Sequence, residues 1–600
     1  MKSTTALCSS PESSRAHPPT RLTIRHPRGS GLTVLGKLIS VLLVVGLIGL
    51  GAYVYLQSQQ TPPPAGGAGP SATGTGGSTT GGAANQSRAG ASGRLDQGLP
   101  LDLTPAQAGA PLLPPAAAYV PKDPGVIDIE LSEYAGYAGL IAANGGLAPN
   151  EDSIFFRKHG FKLRIALSEE ESWPALNSGK MAGSATTVDV LAVYGKAFSV
   201  VTPLQIGFSR GADGVAVLSG IKRLNALKGK TLVAVQFTES EFFLRWLAQE
   251  AGIPVGVIGD LAAGPDPEKI NLVFAKDGEA AAKIFETEAK QAAPRLAGCV
   301  SWEPFLNDAV EATGGKAGLL VSNRNVLVVA DVLILNRAFA EANPKIVQGL
   351  VAGTLEGNAL INANDAKAIA TVATAFKWKQ PETHENLSKV HLSNGAENRA
   401  FFSGAIDMAG SFGSIYQSAT FAYGRQFIPD PAPLERFLMS APLDALASAG
   451  AFANQVIEIA PIRRESGVVE TDPLLSKNIR FLFKVNDAAL EMNNAENMAN
   501  LEAIAKLTQV SPGSTILLRG HVDNGKVAEF KSQGEQTYQR MALRAVQLSK
   551  DRAAEIRRLL IERQKVDPKR IEMVGLGWEE PLGTDSDLNR RVEVQWFTLE

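Results

Sequence analysis

Hydroxyls and aromatic rings at the ends of short apolar runs are the side chains in this sequence best placed to hold a small molecule. The run VIDIEL (126 to 131) leads into SEYAGY, the short run MAGSA into TTVDV, and KTLVAV (230 to 235) into QFTES. In an open α/β sheet the carboxyl ends of the strands face a crevice. The helices that follow turn backbone N–H groups and a favourable dipole towards it, an arrangement suited to anions. On that basis three loops are expected to line a cleft: Ser132 to Tyr137, Ser184 to Thr187, and Gln236 to Ser240. Tyr134 and Tyr137 would give it a flat amphipathic wall, and Thr186, Thr187, Thr238 and Ser240 would donate hydroxyl hydrogen bonds. Trp302 and Glu303, at the end of GCVSW (298 to 302), would close the far side. Each also has a plainer reading, with Thr238 as a helix cap, the tyrosines as core or rim, and Trp302 as packing beneath a sheet.

No catalytic set accompanies these residues. The middle of the chain has one cysteine, Cys299, in an expected buried strand, and no paired His and Cys, no metal-ligand spacing and no G-x-S-x-G elbow. With six histidines scattered along 600 residues, the expectation is a protein that is not an enzyme and has no metal site or cofactor. Apolar residues make up 45% and charged residues 20%, which suits a globular chain of more than one domain. A net charge of −2 argues against nucleic acid as a partner, because that function needs a concentrated basic surface.

The elements that must position the cleft begin at Gly125. FKLRIAL (161 to 167), GVAVLS (214 to 219), INLVFA (270 to 275) and VADVLIL (329 to 335) join the runs above as strands. Phe242, Phe243, Trp246 and Leu247 repeat at helical spacing between them. This predicts an α/β arrangement with a largely parallel sheet, and its length predicts two lobes with a cleft between them over residues 125 to 450. A second domain, 455 to 600, alternates the strands IRFLF (479 to 483), TILLRGHV (515 to 522), RIEMVGLG (570 to 577) and RRVEVQWF (590 to 597) with helices from Ala495 to Thr508 and from about Thr537 to Gln564. Val592, Val594 and Trp596 alternate with polar residues, as in an α+β sandwich whose sheet is covered on one face.

Upstream, LISVLLVVGLIGLGAYVYL (38 to 56) carries no charge and as a helix would be about 28 Å long, against a hydrocarbon core of roughly 30 Å. Residues 32 to 56 are therefore expected to form one transmembrane helix. A secretory signal peptide is the rival reading, but its apolar core is normally about half this length, and no small-x-small cleavage site follows closely. Lys2, Arg15, Arg21, Arg25, Arg28 and Lys37 precede the run with only Glu12 against them, so residues 1 to 31, a disordered tail, should stay in the cytoplasm while the rest is exported. Residues 57 to 124, rich in Gly, Ala, Pro, Ser and Thr, read as a flexible linker with an end-to-end distance of roughly 45 Å. Cys8 and Cys299 would then lie on opposite sides of the membrane, leaving the exported part without a disulfide.

Several segments of the middle domain, in order, resemble a known family: EYAGYAGLIAANGG, FFRKHGFKLRIAL, SWPALNSGKMAGSATTVDVL, LKGKTLVAVQFTESEFFLRWLAQEAGI and VSWEPFLNDAV. They are similar to the nitrate, sulfonate and taurine, and thiamine-precursor class of ABC-transporter periplasmic substrate-binding proteins, over residues 125 to about 440. The resemblance implies a periplasmic-binding-protein-like fold whose two lobes close over a small solute. Thiamine-pyrimidine synthases that look similar add a cysteine-rich iron-binding segment and a reactive histidine, which this domain lacks.

The segments FLFKVNDAAL, GHVDNG, LSKDRAAEIRRLL, RIEMVGLGWEEP and LNRRVEV, within 479 to 597, resemble the OmpA-like peptidoglycan-binding domain found in OmpA, Pal and MotB proteins. The resemblance implies that an aspartate in GH-x-D and an arginine in LS-x-x-RA, here Asp523 and Arg552, hold the diaminopimelate of the peptidoglycan stem peptide. That group ends in an ammonium and a carboxylate on one carbon, and so calls for one acid and one planar, bidentate base. Arg552 lies four residues from both Leu548 and Ile556, at the edge of an apolar stripe, so its guanidinium should be partly desolvated and in need of a partner. An internal Asp523–Arg552 ion pair would also meet that need. His521 reads as a strand residue. The sequence departs from the family in a stretch between Asp523 and Arg552 about twice the usual length, in Ala545 where asparagine is common, and in Lys484 where an acid is frequent; the long stretch is placed to cover the groove.

The expected protein is a single-pass, bacterial inner-membrane protein with its bulk in the periplasm. Its partners would be peptidoglycan, a small solute, and a transport permease or sensor. The alternative is a structural link between membrane and wall whose middle domain binds a protein.

Overall fold

The computed structural model describes residues 102–168, 173–259, 261–404, 410–459, 473–484, 487–511 and 513–597. The expected tail, transmembrane helix and first part of the linker lie outside the described residues. Among the described residues no helix is long and apolar enough to cross a membrane.

The middle domain has two lobes, each built on a six-stranded sheet. Strands are numbered along the chain. The first lobe takes β1 (Val126–Leu131), β2 (Lys162–Leu167), β3 (Gly183–Thr187) and β4 (Val200–Ser209). The chain then crosses to the second lobe for β5 (Asp213–Leu218), β6 (Thr231–Val235), β7 (Val255–Val257), β8 (Ile270–Ala275), β9 (Gly298–Trp302) and β10 (Ala317–Ser322). It returns for β11 (Ala330–Asn336) and β12 (Val390–Leu392). The orders are β12-β4-β11-β3-β1-β2 and β10-β5-β9-β6-β8-β7.

These sheets are mixed, which corrects the expectation of a largely parallel one. Pairs β1 with β2 and β3, and β6 with β8 and β9, are parallel, whereas β11 runs antiparallel to β3 and β4, and β5 antiparallel to β9 and β10. The strands flanking the two crossings carry the antiparallel pairings. β4 itself was not anticipated. All ten of its residues are buried, so it shows no alternation, and it contains Pro203, which lacks a ladder N–H. The β11–β4 register shifts between Leu333 and Leu335, opposite this proline.

Residues 102–124, expected within the flexible linker, are instead laid against both lobes. Thr104 N–H donates to the Phe274 carbonyl at 2.8 Å, and Gln107 exchanges two bonds with the Gln236 side chain. Asn177 Nδ2 then donates to Pro114 O at 2.7 Å, Asn336 Nδ2 to Ala117 O at 2.8 Å, and the buried Tyr119 hydroxyl to Asp128 at 2.9 Å. Composition suggested disorder because Ala and Pro dominate and offer little side chain to bury. What fixes the strap is its backbone, held by amide side chains of the lobes, together with the Tyr119 ring buried against Phe339.

The C-terminal domain has the sheet order β13-β16-β14-β15, with β13 at Leu475–Ile479, β14 at Thr515–Gly520, β15 at Ile571–Gly575 and β16 at Val592–Phe597. Helices Ala495–Val510 and Glu535–Glu562 complete an α+β layer structure. The long helix comes so close to the sheet that a Cβ on Gly520 would lie 2.1 Å from the Ser549 carbonyl oxygen, and one on Gly575 2.5 Å from that of Val546. This domain docks on the second lobe. Leu224 N–H donates to Leu474 O at 2.8 Å, Asn225 bonds both the N–H and the carbonyl of Ser476, and the Trp246 and Trp596 rings meet edge to face at 6.1 Å.

Candidate functional site

Between the lobes lies a cleft of about 280 Å³. The first lobe contributes Tyr134 and Tyr137, which follow β1, and Thr186 and Thr187, which end β3. The second contributes Gln236 to Glu239 after β6 and Trp302 at the end of β9. Tyr134 and Tyr137 stand edge to face at 5.3 Å. Trp302 packs on Gly278, where a Cβ would come within 2.7 Å of the ring, at the start of the helix Gly278–Ala289.

Two of the expected solute residues stand elsewhere. Ser240 is fully buried in the helix Glu239–Glu250 and does not reach the cleft wall. Glu303 points into a smaller neighbouring cavity, where it pairs with Lys389 of the first lobe at 3.2 Å, an ion pair that ties the lobes together. Thr238 occupies the N-cap position, but its hydroxyl donates to Val235 O at 3.0 Å and gives no side-chain cap. Glu241 takes up that end of the helix, accepting from Phe237 N–H at 2.7 Å and pairing with the buried Arg245.

Asp213 and Asp331, not anticipated from the sequence, stand where the two crossings enter the cleft. Both are buried. Asp213 accepts from Ser209 Oγ at 2.5 Å and Asn323 Nδ2 at 3.1 Å, and Asn323 Oδ1 in turn accepts from Gly211 N–H at 2.7 Å, so one network joins the two crossings. Burial pushes the Asp213 carboxyl up to about 6, against the Ser209 and Asn323 hydrogen bonds. Burial, then the nearby Asp213, pushes Asp331 well above the carboxylate range. Asp331 Oδ2 and the hydroxyls of Tyr134, Thr186 and Thr187 lack any partner in hydrogen-bond geometry. Their signal in the sequence was an aspartate interrupting an apolar run, as in VVADVLIL and GADGVAVL.

In the C-terminal domain a groove of about 590 Å³ is lined by Asp523, Leu548 and Arg552 together. Asp523 follows β14, where Val522 N–H donates to Gly577 O at 2.8 Å, and its own Oδ1 accepts from Gly525 N–H at 3.0 Å. Arg552, on the long helix, is half-buried with its guanidinium 4.9 Å from the Phe483 ring centre and its Nε donating to Asp487 O at 3.3 Å. Desolvation, then the neighbouring Arg590, lowers its pKa from the usual arginine value. No ion pair joins Asp523 to Arg552, so both present their charges to the groove. Arg480, Lys484, Lys526, Arg544 and Arg590 add basic side chains to its wall. The long stretch after Asp523 forms a helix, Val527–Ser532, whose Phe530 lines the groove and stacks on Trp578 at 5.9 Å. His521 lies beside Glu580 and Glu593, but Arg519 bonds both glutamates and holds that cluster as an ion-pair network.

Residues 482–595 match the OmpA family. The C-terminal module is an OmpA family domain. The match spans the Asp523 and Arg552 groove and the helices Ala495–Val510 and Glu535–Glu562 of the OmpA domain. No curated protein sequence is significantly similar to the whole chain. Among solved structures, the chain is similar to the alkanesulfonate-binding protein SsuA from Xanthomonas axonopodis pv. citri bound to MOPS, at 14% identity over 53% of this chain and 99% of that one, with a TM-score of 0.40. It is similar to the periplasmic aliphatic sulphonate binding protein SsuA from Escherichia coli at 15% identity, over 54% and 100%, with a TM-score of 0.39. It is also similar to the periplasmic nitrate-binding protein NrtA from Synechocystis PCC 6803 at 10% identity, over 54% and 89%, with a TM-score of 0.39.

Proposed function

We propose that the OmpA domain grips peptidoglycan non-covalently through the zwitterionic end of diaminopimelate, and that the two-lobed domain holds a small solute in its cleft. Residues 32–56 would anchor the protein in the bacterial inner membrane, and the loaded domain would serve a transport permease or a sensor. The protein performs no chemistry of its own in this reading. The observation that carries the proposal is the placement of Asp523 and Arg552 on one groove, each without the other as ion-pair partner, with Leu548, one turn before Arg552 on the same helix, as an apolar part of its wall. An acid and a planar base held apart in this way match an ammonium and a carboxylate on one carbon.

Sedimentation of the full-length protein with purified peptidoglycan tests this. Asp523→Ala and Arg552→Ala should each weaken retention about tenfold or more, the scale of a lost hydrogen bond to a charged group. Asp523→Ala should melt close to wild type, and Arg552→Ala, which also loses its contacts with Phe483 and Asp487, should melt slightly lower while staying folded. Retention equal to wild type in both variants would remove the wall-binding role.

A further inference from the structure

The cleft differs in charge from what its helix termini would offer on their own. A helix N-terminus favours an anion only while its N–H groups and dipole are open to it. Three of the helices that begin at the cleft already have a carboxylate of their own at that end, whereas Ala138–Asn144, which follows Tyr137, has none. Asp189 lies in the first turn of Val188–Tyr194, Glu239 and Glu241 in that of Glu239–Glu250, and Asp277 caps Gly278–Ala289 through Ala280 N–H at 2.7 Å. Two more carboxylates, Asp213 and Asp331, come from the crossings. The single basic side chain on the wall, Lys276, is paired with Asp277 at 3.2 Å.

The unpartnered polar atoms point to the same ligand. Asp331 is 2% exposed and lines the cleft, yet its Oδ2 meets no donor. Thr186, at 1%, lines the same space with a hydroxyl that has no partner in hydrogen-bond geometry. A buried acceptor without a donor is costly, and a ligand N–H would satisfy it. Tyr134, Tyr137, Trp173, Phe237 and Trp302 add aromatic rings to the wall, side chains whose faces can attract a cation. A metal ion fits less well. Among the described residues the one group of three or more His, Cys, Asp or Glu side chains whose ligand atoms converge within 4.8 Å is His521, Glu580 and Glu593, away from this cleft.

We propose that the solute of this cleft is a small organic cation bearing N–H donors, an alkylammonium, amidinium or guanidinium, held between the Asp331 and Asp213 carboxylates and the aromatic wall. The proposal rests on the reading of the cleft as a solute site and names the class of ligand. Burial favours the neutral acid at Asp331 without a ligand, so a cation binds by drawing that proton off to solvent, while a sulfonate or nitrate would find no free base to meet it. The neutral Tyr and Thr hydroxyls then serve as acceptors for the ligand's remaining N–H groups.

Thermal unfolding of the detergent-solubilised full-length protein tests the charge directly. Putrescine, methylguanidine and benzamidine are compared at matched ionic strength with methanesulfonate, taurine and nitrate, and with calcium and magnesium chlorides. The expected result is a rise in melting temperature with at least one organic cation and none with the anions or metals. Calorimetric affinity for that cation should then fall by about 30-fold or more in Asp331→Asn, while Glu268→Gln, on the exposed surface of the second lobe, binds as wild type. A rise with an anion or a metal alone would overturn the cation assignment and leave the cleft a solute site. No rise with any probe would overturn both.

Discussion

Asp189 is fully buried behind the cleft wall, and neither carboxylate oxygen meets a donor in hydrogen-bond geometry. Burial raises its pKa to about 7, more than Thr187 and the local backbone lower it. The unfolded chain would release this proton near 4, so between those values the folded state holds the extra proton. Stability from this group is therefore present at low pH and lost as pH climbs towards and past about 7, by on the order of 1.4 kcal/mol for each unit of the rise. Burial of His159 lowers that imidazole's pKa and works in the opposite direction, so the wild type alone does not isolate the aspartate. Asp189→Asn does. The ligand-free wild type should lose more melting temperature between pH 5 and pH 8 than the variant, and equal losses would mean that Asp189 ionises at no cost. At this scale, the hydroxyls of Thr186 and Thr187 were legible because they end a strand. Asp213 and Asp331 were not, because they reach the cleft from crossings that only the assembled lobes define.

Among the elements, the strap at residues 102–124 is the feature that composition concealed. It bonds Gln236 and Phe274 of the second lobe and then Asn177 and Asn336 of the first, and so adds a third connection between bodies already joined by two crossings. Gln236 also lines the cleft, which couples the strap to whatever the cleft holds. Gln236→Ala should free the strap at its second-lobe end, raising amide exchange at Gln107 while Tyr119, buried at the other end, stays protected. Unchanged exchange at Gln107 would place the restraint elsewhere. In the OmpA domain the expected strand at 479 to 483 appears four residues earlier, at Leu475–Ile479, although Ile479 and Phe481 are buried in the expected alternation. Its partner β16 begins at Val592, opposite Ile479, so the ladder has nothing to pair with beyond that point. Periodicity revealed the apolar face, and pairing decided where the strand stopped.

At the scale of the whole described chain, the OmpA domain and the second lobe share a packed contact. Asn225 holds Ser476 through both backbone groups, at 2.8 and 3.0 Å, and Trp246 meets Trp596. The OmpA domain also reaches the helix Phe412–Phe427, where Lys506 Nζ donates to Ser418 Oγ at 3.3 Å, and a Cβ on Gly513 would lie 3.0 Å from the Asn325 side chain at the second crossing. A protein held through its OmpA domain therefore has its second lobe held with it. Replacing Asn225 with Ala leaves the Ser476 N–H and carbonyl without their partner, at a cost of about 1–3 kcal/mol for the interface. Paired spin labels on the second lobe and the OmpA domain should report a broader distance distribution in Asn225→Ala than in wild type, with peptidoglycan retention unchanged because Asp523 and Arg552 lie on a different surface. A distribution as narrow as wild type would assign the rigidity to the tryptophan contact, and Trp246→Phe, which keeps a ring at that position, would then be the variant that broadens it.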